Sequence, residues 1–306
     1  MEKNRKQQGF ESTLKSLDTE EFIDIHFYRP IGYQWALLFK KLKISPNTVT
    51  IASIFIGIAA GICFYFNNLT INVIGMLLLI WANSYDSADG QLARMTGQKS
   101  ALGRVLDGAC GDLWFISIYA AICLRLTPEW GIWIWILGAV TGFFHSKQAS
   151  MADYYRNIHL LFLKGESGSE LSRSDKLEAD FKKLSWKKDF IYKLFGFFYL
   201  NYTKGQEQSS PKFQKMMETL HSVYIDNVPE EFRQAFRKKS LPLMKYTNML
   251  SFNTRVIALF VSIFIGMPWL YFVFELTVLN IMLVYMITTH EHFCENFRVE
   301  LLKQNK

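Results

Sequence analysis

The sequence is poor in features that would stabilise a secreted or metal-stapled fold. It has only four cysteines in 306 residues, and none of them belongs to a CxxC pair. Three of the four fall within apolar blocks, so we expect small packing residues rather than disulfides or a metal site. The first 22 residues are polar and lack the apolar core of a secretory signal. The chain also contains no internal repeat and no low-complexity tract.

A nucleic-acid site is missing as well. The formal net charge is +7, but no basic cluster is interleaved with aromatic side chains. We therefore expect no nucleic-acid partner, and an anionic membrane surface accounts for the charge equally well. Half of the residues are hydrophobic, and they are gathered in long blocks separated by charge-dense stretches. This segregation indicates a membrane part joined to a sizeable polar part.

The apolar blocks predict the fold class. A helix needs about 20 apolar residues to cross a bilayer. Suitable blocks lie at 48–66, 71–85, 101–124 and 130–144, and a long one at 252–286 is divided by Gly266-Met267-Pro268. The prediction is an all-α, polytopic membrane protein with six transmembrane helices.

The placement of Lys and Arg predicts the orientation. The turns after the first, third and fifth spans, at 67–70, 125–129 and 266–269, contain Arg125 as their only basic residue. By the positive-inside rule, both termini are then cytoplasmic, and so is the long region between the fourth and fifth spans. We expect an integral, multi-pass protein whose functional groups face the cytoplasm.

Two amphipathic stretches complete the predicted organisation. Residues 27–42 suit a helix at the cytoplasmic interface, and residues 186–202 are aromatic and bounded by lysines. We interpret the second as interfacial or packed on the bundle, with a re-entrant segment as the alternative. Five segments result: a cytoplasmic N-terminus with the interfacial helix (1–46), transmembrane helices 1–4 (47–157), a cytoplasmic or interfacial helical insert (158–250), transmembrane helices 5–6 (251–290) and a cytoplasmic tail (291–306).

An acidic cluster is the best candidate for chemistry. Asp86 and Asp89 are three residues apart, on one face of the second span near its cytoplasmic end. Asp107 enters the third span from the same side, and a short connection makes these helices neighbours. A carboxylate in a membrane helix costs roughly 2.5–3.5 kcal/mol, and it is usually retained for function or pairing. Convergent carboxylates suit Mg²⁺ or Mn²⁺ and a substrate that carries phosphate.

Small and basic residues surround the acids. Gly90, Ala93, Gly103 and Gly108 remove bulk where a ligand would approach, although helix packing is the simpler explanation for any one of them. Arg94 and Arg104 can bind phosphate, or they can pair with the aspartates. Several other polar residues can face the same cavity: His145, Lys147, Asp153, Asn253 and Arg255. The favoured interpretation is that they are interfacial residues whose polar ends snorkel to water.

These residues carry a resemblance to a known family. The pattern Asp86-x-x-Asp89-Gly90-x-x-Ala93-Arg94, eight residues, Gly103-x-x-x-Asp107 resembles the signature of the CDP-alcohol phosphotransferase (phosphatidyltransferase) family. The resemblance implies transfer of a substituted phosphate from a CDP-linked donor to an alcohol or sugar-phosphate acceptor, with release of CMP. It also implies two divalent cations, a membrane lipid substrate and a homodimer. Asp86, Asp89 and Asp107 would be metal ligands, Gly90 and Ala93 would make room for the nucleotide, and Arg94 would support the site.

The fourth acid of the signature is displaced. It should lie four residues after Asp107, where this chain has Gly111, and Asp112 follows. On an ideal helix the fifth residue points about 140° away, so Asp112 needs a π-bulge to become the base and a metal ligand. The alternatives are an active site with a different base, and a degenerate member without activity.

Two questions about function stay open at this stage. The nucleotide can carry the lipid, as CDP-diacylglycerol does, or the head group, as CDP-choline and CDP-ethanolamine do; we favour the CDP-activated lipid. An ion-coupled transporter is the alternative from another class. It is less favoured because such proteins place their acids near the bilayer midplane and show repeats.

Overall fold

The described part of the chain is helical, as predicted. The computed structural model describes residues 16–98, 101–224 and 228–304. Within these ranges the side chains at 101, 102, 104, 105, 107, 167, 191 and 304 are not described. Across the described residues the structure consists of helices and turns, without a strand.

The longer helices follow in chain order. They are α1 (Arg29–Lys41), α2 (Pro46–Cys63), α3 (Leu69–Thr96), α4 (Ala101–Trp130), α5 (Ile132–Lys164), α6 (Ser174–Lys183), α7 (Phe190–Gln208), α8 (Pro211–Tyr224), α9 (Glu230–Met249), α10 (Phe252–Phe264), α11 (Trp269–Phe274) and α12 (Asn280–Gln304). A π-helical turn, Asp24–Tyr28, precedes α1, and a second one, Glu275–Leu279, joins α11 to α12. The described residues divide into two compact units. Unit 1 runs to Ser146 and includes Phe252–Thr277, and unit 2 comprises Lys147–Ser251 and the chain from Val278 onward.

Local signals in the sequence define the helix ends of unit 1. The Ser45 hydroxyl accepts a hydrogen bond from the Thr48 backbone N–H, and Pro46 occupies the first helical position of α2. Asn68 caps α3 in the same way through the Ile71 N–H. Gly266, with a φ of +75°, lies in the connection between α10 and α11, which confirms the predicted division there.

One predicted turn is wrong. The sequence placed the connection between the third and fourth spans at 125–129, but α4 remains helical to Trp130 and even includes Pro128. The chain reverses at Gly131 instead, whose φ of +57° is a conformation that glycine adopts without steric cost. Polar residues at 125–129 therefore mark the end of a helix and not a loop.

Close packing of α2 against α4 sets the rotation of α4. Trp114 is buried, and its indole N–H donates to the Ser53 carbonyl at 3.0 Å. A Cβ at Gly57 would lie 2.0 Å from the Trp114 ring, so only glycine allows this approach. One turn further, the Ser117 hydroxyl donates to the Ile58 carbonyl at 3.0 Å. These contacts fix which residues of α4 face α2.

The apolar helices are consistent with a polytopic membrane protein. Among the described residues, five stretches are long and apolar enough to cross a membrane: Pro46–Cys63, Leu69–Thr96, Gly108–Trp130, Glu230–Phe264 and Trp269–Lys303. The helix α5 is not among these five, although it contains residues 132–144 of the span predicted at 130–144. The sixth span therefore stays a prediction.

Unit 2 contains the insert together with α12. The Glu291 carboxylate accepts hydrogen bonds from the backbone N–H groups of Lys212 (2.7 Å) and Phe213 (3.3 Å), at the start of α8. An acidic group stabilises a helix N-terminus in this position. The Gln148 amide of α5 also donates to Asn280 of α12 at 2.7 Å. The insert is thus folded around the C-terminal helix.

Candidate active site

Two of the predicted acids lie side by side on α3. Asp89 is buried, and its carboxylate accepts a hydrogen bond from the hydroxyl of Thr50 on α2. Asp86 lies one turn earlier on the helix and is half-buried. A buried carboxylate with a hydroxyl donor is held in one orientation, because rotation would leave it without that hydrogen bond. The end of α3 therefore presents one oriented carboxylate, that of Asp89, with Asp86 one turn away.

The residues after Asp89 place a cation against the backbone of α3. A Cβ at Gly90 would lie 3.4 Å from Nη1 of Arg94, so the guanidinium rests over Gly90. A methyl group at position 90 would be in van der Waals contact with it, and a longer side chain would compete with it for space. Ala93, in the same turn, is half-buried. The small residues at 90 and 93 thus leave room for the Arg94 side chain as well as for a ligand.

The start of α1 also packs on this part of α3. The Gln91 amide donates to the Arg29 carbonyl at 3.0 Å, and a Cβ at Gly32 would lie 2.8 Å from the Ser87 hydroxyl. The predicted amphipathic helix is therefore present, and it covers the face of α3 that includes positions 87 and 91.

For the part of the signature on α4, the structure describes the backbone and the residue Gly103. Gly103 lies in the first turn and is half-buried, while the side chains of Arg104 and Asp107 lie outside the described part. Position 107 precedes Cys110 by three residues, and the Cys110 thiol lies 3.2 Å from the Ser53 hydroxyl of α2. Residues three apart share a helix face, so position 107 is on the side of α4 that packs on α2. The helix α2 also contacts Asp89, through the Thr50 hydroxyl. Convergence of the three acids remains a prediction.

The proposed bulge around Asp112 is not found. The backbone of α4 is α-helical from Ala101 to Trp130, with no π-helical turn in those described residues. Asp112 is therefore rotated by about 140° from position 107. Its side chain is exposed, and it interacts electrostatically with His145 of α5 and Arg255 of α10. Asp112 belongs to a different face of α4 from the rest of the signature.

That second face continues into a buried ionic network. Arg255 donates to Glu275 at 2.8 Å, and its Nη1 also lies 2.9 Å from Nδ1 of His145. The Tyr119 hydroxyl, on α4, donates to Glu275 at 2.8 Å. All four side chains are buried, so the interpretation of His145 and Arg255 as interfacial charges is wrong. Three helices and the turn after α11 meet in this network.

Sequence reasoning missed Glu275 entirely. It lies in an apolar stretch where no other acid occurs between Trp269 and Met286. A lone carboxylate in such a stretch is costly and needs a partner, and that signal was available. The partner lies 20 residues away on another helix, however, and no local pattern identifies it.

The oxygen donors present are of the type that Mg²⁺ or Mn²⁺ prefers. Asp86 and Asp89 supply two carboxylates on one helix face, and one of them is buried and hydrogen-bonded. Within the described residues no group of three or more His, Cys, Asp or Glu side chains is placed to hold a metal. Asp107, the predicted third ligand, is not among the side chains described. The oxygen donors of Asp86 and Asp89 thus fit such a cation by their chemistry.

One segment of the chain matches the model of a known protein family. Residues 43–156 match the family model described as CDP-alcohol phosphatidyltransferase. This segment contains α2, α3, α4 and every residue of the signature. Over this segment the chain is similar to the CDP-alcohol phosphatidyltransferase family.

Curated proteins are similar to part of this chain. Cholinephosphotransferase 1 of Rattus norvegicus is 31% identical over 110 residues, which is 32% of this chain and 28% of that protein. Archaetidylinositol phosphate synthase of Pyrococcus horikoshii is 33% identical over 92 residues, 30% of this chain and 47% of that protein. The matched region thus spans less than half the length of either relative.

Proposed function

We propose that this protein is a membrane phosphotransferase of phospholipid biosynthesis. It transfers a substituted phosphate from a CDP-linked donor to an alcohol acceptor and releases CMP. The observation that supports this most is the placement of the signature on α3 and α4, which both pack against α2. Asp89 is held there by Thr50, within the segment that matches the family. Carboxylates near the end of a membrane helix suit the binding of divalent cations, which in turn bind phosphate oxygens.

Each signature residue has a proposed role. Asp86, Asp89 and Asp107 would hold two Mg²⁺ or Mn²⁺ ions; Asp112, on a different face of α4, is not proposed as a ligand. When bound, these ions neutralise phosphate oxygens. Arg94 and Arg104 bind phosphate, and the small residues Gly90, Ala93 and Gly103 leave room for the nucleotide.

The chemical step is a substitution at phosphorus. The acceptor hydroxyl oxygen forms a bond to the donor phosphorus next to the substituent, and the bond from that phosphorus to the CMP oxygen breaks. The hydroxyl proton passes to a carboxylate, for which we propose Asp112, with Asp107 as the second catalytic candidate.

The donor is proposed to be a CDP-activated lipid such as CDP-diacylglycerol, with a small alcohol or sugar phosphate as acceptor. The alternative is CDP-choline or CDP-ethanolamine, with a lipid alcohol as acceptor. One relative is named as a cholinephosphotransferase and the other as an archaetidylinositol phosphate synthase, so each option has a precedent among the relatives.

The proposed membrane arrangement has six spans, with α5 supplying the fourth, and both termini in the cytoplasm. The active site then faces the cytoplasm. We also propose that the chain acts as a homodimer.

Release of CMP tests the proposal directly. The full chain in nanodiscs would receive radiolabelled CDP-diacylglycerol, CDP-choline or CDP-ethanolamine, each with a panel of alcohols and Mg²⁺ or Mn²⁺. Metal-dependent CMP release with one donor supports the proposal and identifies the donor. If no pair gives turnover and Asp89→Asn changes nothing that is measured, the chain is a degenerate member. Uptake of a solute driven by an ion gradient would instead favour the transporter.

A further inference from the structure

An aromatic face on α7 stands out in unit 2. Phe190, Phe197 and Phe198 are 56%, 46% and 62% exposed. At 100° per residue they fall within about 100° of one another around the helix. We call these three residues, with Trp186 just before the helix, the aromatic ridge. A solvent-facing helix surface is normally polar, so the ridge is out of place on a face that meets water alone.

The other side of α7 is committed to the interior of unit 2. Leu200, Thr203 and Gln206 are buried there. The Gln206 amide donates to the Ser150 carbonyl at 2.9 Å, and the Glu207 carboxylate accepts from the backbone N–H of Ser174 at 2.9 Å. The helix is therefore held in one rotation, and the ridge cannot turn inward.

The residues just before α7 are basic, and contacts with Lys193 hold Trp186 in place. Lys187 and Lys188 are exposed directly after Trp186. Lys193 has a different function, because its ammonium lies 4.9 Å from the Phe181 ring and 5.5 Å from the Trp186 ring. These cation–π contacts hold Trp186 beside the N-terminus of α7. Large aromatic side chains and lysines are thus presented together.

We propose that the aromatic ridge and Lys187 and Lys188 together dock unit 2 onto an anionic lipid surface. Aromatic side chains bind at the headgroup level of a bilayer, and lysines bind anionic lipids beside them. Unit 2 also contains α12, which is part of the candidate span Trp269–Lys303, so the chain itself keeps this unit near a bilayer. An exposed apolar patch with basic neighbours fits that surface in both shape and charge.

Photocrosslinking in the full chain tests the docking. The photoreactive amino acid p-benzoylphenylalanine would replace Phe198, and the chain would be placed in nanodiscs of phosphatidylcholine with or without 30% phosphatidylglycerol (about one lipid in three, the anionic level chosen to resemble a charged leaflet). Ala179, an exposed residue of α6, is the matched control position. Peptide mass spectrometry then distinguishes lipid adducts from protein adducts.

We expect a lipid adduct at 198 at least about tenfold above that at 179, rising further with phosphatidylglycerol. Lys187→Gln with Lys188→Gln should remove that rise, because each lysine near an anionic surface contributes about a factor of five in lipid binding. Equal adducts at 198 and 179, or adducts insensitive to phosphatidylglycerol, would overturn the proposal. An adduct of 198 with protein would also overturn it, and the crosslinked peptide would then show whether the ridge binds a second copy or another part of the chain. None of these readouts depends on CMP release.

Discussion

Arg255 and Glu275 form an ion pair with 2.8 Å between Nη1 and Oε2, although their side chains are only 2% and 0% exposed. Removing two charges from water is costly unless geometry and further hydrogen bonds compensate for it. Here Tyr119 donates to the same carboxylate, and His145 lies beside the guanidinium. The pair joins α10 to the turn that follows α11 within unit 1.

Breaking this pair from one side should destabilise unit 1 strongly. Glu275→Gln leaves the Arg255 charge buried without its counterion, and such a change costs about 3–5 kcal/mol. The double variant Arg255→Met with Glu275→Leu should lose less than the sum of the two single variants, since no charge remains buried. Denaturation of the purified full chain in detergent measures both.

An exposed ion pair is the control for that measurement. Lys183 and Asp180 are 2.7 Å apart, but their side chains are 74% and 73% exposed. Lys183→Met should therefore change the stability by less than about 1 kcal/mol. If Lys183→Met lowers the stability as much as Glu275→Gln does, burial is not what makes the Arg255–Glu275 pair important.

The packing of α2 on α4 predicts a contrast between two glycines. Gly57→Ala would place a methyl group 2.0 Å from the Trp114 ring and force the helices apart, at a cost of roughly 1–3 kcal/mol. A Cβ at Gly111 would meet nothing within 4 Å among the described residues, so Gly111→Ala should leave the stability unchanged or slightly improved. Thermal denaturation compares them directly, and equal losses would mean that α2 does not set the position of α4.

Mutation can distinguish the two candidates for the catalytic base, Asp112 and Asp107. If Asp112 is the base, Asp112→Asn should lower the rate of CMP release about 10²–10⁴-fold while the binding of the metal is kept. Asp107→Asn should lower both the rate and the apparent affinity for Mg²⁺. Asp175→Asn, an exposed change on α6, is the control. Full turnover in Asp112→Asn together with loss in Asp107→Asn would show that another group takes the proton.

Acidic pH should loosen α6 from α7. Hydrogen bonds from Lys204 and Lys182 lower the pKa of Glu178 from 4.5 to about 2. Because the pKa is lower in the folded protein, the contribution is present above pH 4.5 and is lost as the pH falls toward 2. The protection factors of the amides at residues 174–183, which correct for the pH dependence of intrinsic exchange, should fall over that range. Glu178→Gln should already exchange faster at pH 7 and respond less to acid.

The sequence was informative where local chemistry decides the structure. Ser45 and Pro46 begin α2, and the break at Gly266 follows from residues within a few positions. The continuation of α4 through Pro128 and the network around Glu275 were missed, because they depend on packing between helices. The pairing of His145 with Arg255 joins positions 110 residues apart. The signature indicated the family, but the direction of Asp112 needed the rotation of α4 that Trp114 fixes.

The length of α3 has a consequence for substrate access. The helix has 28 residues, about 42 Å at 1.5 Å per residue, whereas the hydrocarbon layer is about 30 Å thick. Asp86 and Asp89 lie 17 and 20 residues after Leu69, roughly 26 and 30 Å along the axis. If α3 enters the bilayer at Leu69, the acids lie at the depth where acyl chains give way to headgroups. A charged nucleotide can reach that depth from water, and a lipid can reach it by lateral diffusion, so neither has to leave its own phase.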